Sequence, residues 1–294
     1  MHAHGESRRT FLRRAAALLP AAALLPRALQ DTLFVTDQTI LLKRLGQGIE
    51  EDLFTRPIGE LVATAGRFFL ERPYEANTLE APGPEHLVVN LREFDCVTLC
   101  ESSLAMARAI RMRASTVRGY MKQLEEIRYR GGRCNGYASR LHYFSEWIDD
   151  NEKKRVVQNV TAALGGVKDG RRIDFMSTHR ESYPRLAEAG EFAAIVAMEK
   201  SLAGRTRLYV PKARVASIEG RIRSGDIIAI TTSVPGLDVA HTGIALREEG
   251  TTRLLHAPNV GQLVQITSGS LSAYLHAHEK QSGIMVARPL DPVT

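Results

Sequence analysis

The chain has 294 residues, 44% hydrophobic and 24% charged, ordinary proportions for a soluble globular protein with a substantial core. Its formal net charge is +6, but residues 1–30 hold five arginines against Glu6, +4 of that total, which leaves +2 for the rest. A near-neutral remainder excludes the argument from basicity to a nucleic-acid partner.

The N-terminus reads SRRTFLRRAAALLPAAALLPRAL, a basic head followed by an Ala/Leu segment broken by Pro20 and Pro26. That segment is too short and too interrupted to span a bilayer easily. It lacks the polar face that a surface-lying amphipathic helix requires. The stretch Ser7-Arg8-Arg9-Thr10-Phe11-Leu12 resembles the twin-arginine export signal, which a receptor reads. Residues 1–30 are therefore expected to be that signal, cut near Ala28 to Gln30. The export machinery is then a partner, and the periplasm or cell envelope the destination. No other stretch approaches about 20 apolar residues, so no membrane span is expected in residues 31–294.

Two short helices are predicted over 38–50 and 57–71, where apolar residues recur every three or four positions. HLVVNL at 86–91 is a compact β-rich run. From Asp95 to Arg113 the pattern is helical again, with Asp95 placed to accept the free amide hydrogens of the first turn. Residues 115–205 read as mostly helical, broken at YRGGRCNGY and LGGVKDG. After about 206 the character changes to short apolar runs split by Gly, Pro and charged turns: RLYVPKARV, GDIIAITT, HTGIALRE, TRLLHAP, GQLVQIT and GIMVARP. These read as strands of an antiparallel sheet, interrupted by one helix, SLSAYLHAHEK. Helices first and strands later is the α+β pattern. With no repeat and no obvious linker, residues 31–294 are expected to form one domain with a helical insertion over about 115–205.

Two of the three cysteines, Cys96 and Cys100, fall in REFDCVTLCES. A Cys100–Cys134 bridge is conceivable in an oxidising compartment and leaves Cys96 as the odd thiol. Cys96 lies one residue inside a helix start, where backbone amides favour a thiolate. Its base must come from elsewhere in the fold. His2 and His4 go with the signal; His276 and His278 are expected to be solvated; His86, His142 and His179 lie in helical or turn regions. His241 and His256 each sit at the edge of a predicted strand, and a hairpin between those strands would set them side by side. His241 would then take the Cys96 proton while His256 orients its ring. The alternatives are two satisfied strand histidines with a cysteine that merely fills the core, or a zinc site completed by the i, i+4 cysteine pair.

Four segments in order, FDCVTLCES, IRSGDIIAI, DVAHTGIAL and LLHAP, resemble the landmarks of the NlpC-type papain-like cell-wall peptidases. SRLHYFSEWIDDN, IDFMSTHRESYP and TTSVPGLDVAHTGIA are closer still to the N-acetylmuramoyl-L-alanine amidase-like subfamily. The likeness runs from about residue 35 to 290. It implies a papain-like α+β core, with the cysteine helix packed on an antiparallel sheet of about five or six strands. It also implies Cys96 as nucleophile, His241 as base and His256 as the orienting residue, with no metal and no cofactor. Asn90, six residues before Cys96, stands where papain-like enzymes place an oxyanion-hole glutamine; the other reading is an Asx-turn. Asp95 is expected to cap the helix or to pair with a substrate amine. Asp238 would hold its loop or contact substrate, and His142 would pack or line the cleft. The activity implied is cysteine-dependent hydrolysis of an amide bond in peptidoglycan or muropeptide fragments, the muramoyl–L-alanine bond in this subfamily. Clan relatives that cut after D-glutamate, and a non-catalytic envelope protein that binds muropeptides, are the alternatives.

Overall fold

The computed structural model describes residues 32–293, so the expected export signal lies outside them. β1 (Thr32–Leu33) pairs in parallel with β2 (Val88–Val89), and α1 (Val35–Glu50) and α2 (Ile58–Arg67) lie between them. Then follow α3 (Cys96–Arg111), α4 (Val117–Arg128), α5 (Phe144–Lys153), β3 (Val157–Asn159), β4 (Val167–Asp169), α6 (Phe175–Thr178) and α7 (Ala189–Leu202). The C-terminal part is β5 (Arg207–Pro211), α8 (Lys212–Ile218), β6 (Ile227–Thr232), β7 (Val239–Glu248), β8 (Thr251–His256), β9 (Gln265–Ile266), α9 (Leu271–His276) and β10 (Gln281–Pro289). Among these helices none is long and apolar enough to cross a membrane.

The second sheet has eight strands in the order β4-β5-β10-β6-β7-β8-β9, with β3 added along β10. All its pairings are antiparallel. The six runs after residue 206 each contribute a strand. Two further strands, β3 and β4, come from inside the segment over 115–205 read as mostly helical, and bring the sheet to eight strands where five or six were expected. At three residues each they are too short to show an alternating pattern, and only pairing with β10 and β5 makes them strands. HLVVNL shrinks to Val88–Val89 because Asn90 turns the chain: its Oδ1 accepts from the backbone nitrogens of Arg92 and Glu93.

The sheet is covered on both faces, and the period of two along each strand sorts its side chains. Ile227, Ala229, Ile244, Leu246 and Leu255 pack against α1 to α4. Ile228, Ile230, Ala245, Leu254 and Ile284 face α8 and α9 instead. A third small cluster, including Tyr143, Met176 and Ile195, gives the insertion its own core.

α3 is the most enclosed helix, buried almost without a break from Thr98 to Ile110. Leu99 and Leu104 are fully buried, each stabilising by about 1.5–3 kcal/mol. That exceeds the ~1 kcal/mol of its cap, so packing fixes the position of α3 on β7 and the cap fixes only its first turn. Arg128 of α4 ties the helix from the other side, donating to Glu101 at 2.6 Å and to Val88 O at 2.6 Å. The Gly-Asp landmark before β6 is structural. Gly225 has φ +86°, and a Cβ there would meet Gly59 O at 2.0 Å. Asp226 accepts from Arg288 Nε and Nη2, at 2.9 and 2.7 Å.

Candidate active site

Asp95 caps α3 through a reciprocal pair. Its Oδ1 accepts from Thr98 N at 2.7 Å, and Thr98 Oγ1 accepts from Asp95 N at 2.9 Å. Cys96 is therefore the first residue of a helix whose opening turn is locked, and its thiol is half-buried. Thr242 of β7 pins the same turn by donating to Cys96 O at 2.7 Å. One turn further on, Cys100 is fully buried and its thiol lies 3.7 Å from Thr242 Oγ1, inside the α3–β7 contact. The two neighbouring cysteines thus face different surroundings. Cys96 and Cys100 carry thiols, and the Cys134 thiol donates to Glu85 O in place of the conceivable bond to Cys100.

The two strand histidines meet as their pattern suggested. His241 Nε2 lies 2.8 Å from His256 Nδ1, with the rings edge-on at 81° and their centroids 5.0 Å apart. A bulge sets this up: Ile230 pairs with His241 but Thr231 pairs with Val239, leaving Ala240 unpaired. An extra residue in one strand re-aims the side chains beside it. Tyr274 of α9 stacks edge-on against His256 at 5.1 Å and lies 6.2 Å from His241.

Cys96, His241 and His256 line one cavity of about 870 Å³. Its other walls are Tyr74, Tyr274, His278, Gln281 and the loop from Pro258 to Gly269. Among the described residues no Asp or Glu lines it, and no group of three or more His, Cys, Asp or Glu is placed to hold a metal ion.

Burial disfavours charge on Cys96, His241 and His256 alike. Burial, and after it the Asp95 charge, pushes the Cys96 thiol up to about 11, although hydrogen bonds from Thr242 pull the other way. Burial, then the nearby His256 and His278, lowers His241 to about 3; burial lowers His256 to about 4. The helix start alone favours a thiolate; burial works against it and raises the thiol instead. What the arrangement offers is a thiol and an imidazole base in one cavity, with the second imidazole bound to the first.

Three further residues singled out from sequence lie elsewhere. Asn90 is half-buried in its own turn, its carboxamide oxygen taken by two backbone amides and its nitrogen 3.5 Å from Glu93; it does not line the cavity. Asp238 is buried and accepts from Ser145 N and Val239 N, both at 2.7 Å. It thereby caps α5 from a distant segment, because Tyr143, at that helix's own N-cap position, supplies no side-chain bond. His142 packs on Tyr137, its Nε2 2.9 Å from Tyr137 O, and also stands off the cavity. In their place come Tyr74, Tyr274, His278 and Gln281. The Tyr274–His278 pair carried a signal, since i, i+4 spacing in the predicted helix sets both on one face; His278 lies just past the end of α9, and the rings meet tilted with centroids 4.4 Å apart. His278 is exposed, as expected, yet it also lines the cavity. Tyr74 carried no such signal; it arrives from a loop held by its backbone bond to Gln262 O.

Comparison with known proteins follows this geometry. Residues 64–284 match the model of the N-acetylmuramoyl-L-alanine amidase-like family. A crystal structure of an N-acetylmuramoyl-L-alanine amidase from Bacteroides uniformis is 38% identical, covers 80% of this chain and 99% of its own, and superposes with a TM-score of 0.75. A candidate xylanase from Bacteroides fragilis is also 38% identical, over 76% of this chain and 99% of its own, with a TM-score of 0.72. A Legionella pneumophila protein, 18% identical over 88% and 96%, shares the fold with a TM-score of 0.67. No curated protein matches. The family match spans most of the described residues and includes Cys96, His241 and His256, and on it the chain belongs to the N-acetylmuramoyl-L-alanine amidase-like family.

Proposed function

We propose that the chain is a cysteine amidase with an NlpC-type, papain-like core, hydrolysing the bond between N-acetylmuramic acid and L-alanine in peptidoglycan or its released fragments. One observation carries the reading: Cys96, at the capped start of α3, opens into the same cavity as the hydrogen-bonded His241–His256 pair. With His241 Nε2 engaged by His256, the Nδ1 nitrogen takes the thiol proton as sulfur attacks the carbonyl carbon. The imidazolium so formed returns that proton to the departing alanine nitrogen as the C–N bond breaks, leaving a thioester. Water, deprotonated by His241, attacks the thioester; the thiol is regenerated and the muramoyl carboxylate released. His256 orients the His241 ring and disperses its transient charge. The helix-start amide of Cys96 is the donor nearest the developing oxyanion. The N-terminal arginine pattern supports export by the twin-arginine route to the periplasm or cell envelope.

The Bacteroides fragilis relative raises glycoside hydrolysis as a second reading. That chemistry needs two carboxyl groups flanking the scissile bond. Among the described residues no carboxylate lines this cavity, which favours the amidase over the glycosidase. A clan endopeptidase would use the same triad on a different bond, so products decide. Mass spectrometry after incubation with defined muropeptides is expected to find free sugar plus intact stem peptide. Release of an L-alanyl-D-glutamate dipeptide would instead identify an endopeptidase. Saturable binding with no product would mark a non-catalytic muropeptide-binding protein.

A further inference from the structure

Gln281 opens β10 inside the cavity wall. Its side chain is 8% exposed, and its Oε1 has no hydrogen-bond partner among the described residues. The backbone around it is firmly set, with Gln281 N donating to His278 O and the residue paired with Thr232. A bulge then follows: Gln281 pairs with Thr232 and Gly283 with Thr231, so Ser282 is unpaired. Its hydroxyl lies 2.8 Å from Thr231 Oγ1, which ties the bulge down. β6 is thus flanked at its cavity end by two bulges. The one in β7 delivers His241 and the one in β10 delivers Gln281. Two independent register breaks at one strand end, each beside a cavity side chain, are features of a built site.

Gln281 lines the cavity beside Tyr274, and its carboxamide oxygen is an acceptor that no group among the described residues satisfies. A buried carbonyl oxygen without a donor costs free energy that a ligand N–H recovers on binding. Resting on the amidase reading of this cavity, we propose that Gln281 is a substrate-binding residue whose Oε1 accepts a hydrogen bond from a secondary amide N–H of the substrate. Muropeptides offer that chemistry from three sources: the sugar acetamido group, the scissile lactoyl–alanine amide and the peptide bond that follows it. A ligand lacking the N–H leaves Oε1 unpaired and is rejected, which makes Gln281 a specificity determinant.

The test measures binding by calorimetry in a Cys96→Ala background, with N-acetylmuramoyl-L-alanyl-D-isoglutamine as the probe. Gln281→Met, similar in shape but without the acceptor, is expected to weaken binding by about tenfold to a hundredfold. Its thermal midpoint should stay level or rise, because an unpaired buried carbonyl has been removed; a merely structural residue would lower it. Three analogues, each with an ester oxygen in place of one N–H, at the sugar acetamido group, at the lactoyl–alanine bond and at the alanyl–isoglutamine bond, separate the sources. The true donor's removal costs the Gln281 protein affinity and costs the Q281M protein nothing more. Equal affinity for the probe with and without Gln281 overturns the proposal, and so does absence of binding by the Cys96→Ala protein. Slower hydrolysis with unchanged binding also overturns it, since that would make the side chain an oxyanion donor. Failure of the Cys96-intact enzyme to cleave, with the binding differences present, would remove the amidase mechanism alone.

Discussion

The 2.8 Å contact between His241 Nε2 and His256 Nδ1 commits one nitrogen of each ring and leaves His241 Nδ1 without a protein partner among the described residues. The two residues are 15 apart in sequence, on strands whose ladder is in register from Ile244–Leu255 to Glu248–Thr251. Continuing that pairing past its last rung, with Ala240 bulged on the β6 side, brings the imidazoles edge to face. A side chain bound at one nitrogen and open at the other suits a base whose tautomer is fixed by its neighbour.

Removing that neighbour should therefore cost catalysis more than binding. His256→Ala is expected to lower kcat on a defined muropeptide by about a hundredfold or more while changing KM little, the mark of a residue acting through another. His256→Gln, which keeps an acceptor near the His241 ring, should recover part of the loss. His241→Ala should be slower than either. Steady-state kinetics on the three variants checks the order, and a His256→Ala enzyme with wild-type kcat would separate the pair from the chemistry.

The raised Cys96 thiol has a chemical signature. With the Cys96 thiol pushed up to about 11, alkylation by iodoacetamide at pH 7 should be about a hundredfold slower than for a free cysteine, and should climb with pH past 10. For hydrolysis the acid limb comes from His241: lowering the pH protonates it, and it can then accept nothing. With His241 at about 3 and His256 at about 4, kcat/KM should stay flat from about pH 5 to pH 9, with no inflection near 6.5. The paired rings titrate together, so the limb is a property of the pair. A plateau of alkylation already reached at pH 7 would instead indicate a preformed thiolate–imidazolium pair.

The same burial makes the fold acid-sensitive. His142, His241 and His256 are all lowered, mainly by burial, to about 3, 3 and 4. The unfolded chain binds protons on them from about 6.5 downward, before the folded one does. Their contribution to stability is therefore complete above about 6.5, and is lost as the pH falls to 3–4. Urea midpoints measured across that window should drop. His142→Gln should flatten part of the drop while leaving the cavity's kinetics unchanged, because His142 is bound to Tyr137 away from it.

How much of this could be read from the chain depends on whether a residue's role is local. The Asp95 cap and the α3 pattern depend on neighbours three or four positions away, and they were legible. The His241–His256 pairing was legible too, because a hairpin is nearly local and both residues sit at strand edges. Asn90 allowed two readings, an oxyanion donor and an Asx-turn, and the turn forms: its oxygen accepts from Arg92 N and Glu93 N, and its side chain is not among those lining the cavity. Tyr74 and Gln281 were not legible, since each reaches the cavity through long-range pairing, Tyr74 beside Gln262 and Gln281 through a bulge against β6. β3 and β4 were hidden for the same reason.

Capping offers a direct measure of how α3 supports its cysteine. Asp95→Ala leaves Thr98 N without its acceptor and should cost about 1 kcal/mol of stability, read from a shift in urea midpoint at unchanged slope. It also removes the charge that raises the Cys96 thiol, so alkylation near neutral pH should speed up even as the protein weakens. Stability and thiol reactivity thus move in opposite directions, a pattern that general loosening of the fold would not single out at Cys96.

Asp238 separates a structural carboxylate from a substrate-binding one. It holds Ser145 N and Val239 N, and so joins the N-terminus of α5 to the strand that carries His241. Asp238→Ala leaves two buried amides unpaired and should cost about 1–3 kcal/mol. Because the side chain does not line the cavity, KM for a muropeptide should be unchanged at a temperature where the variant is fully folded. Asp238→Asn keeps one acceptor oxygen and should restore part of the stability. If KM instead rose severalfold in the folded Asn variant, the carboxylate would be reaching substrate, and its assignment as a remote cap of α5 would fail.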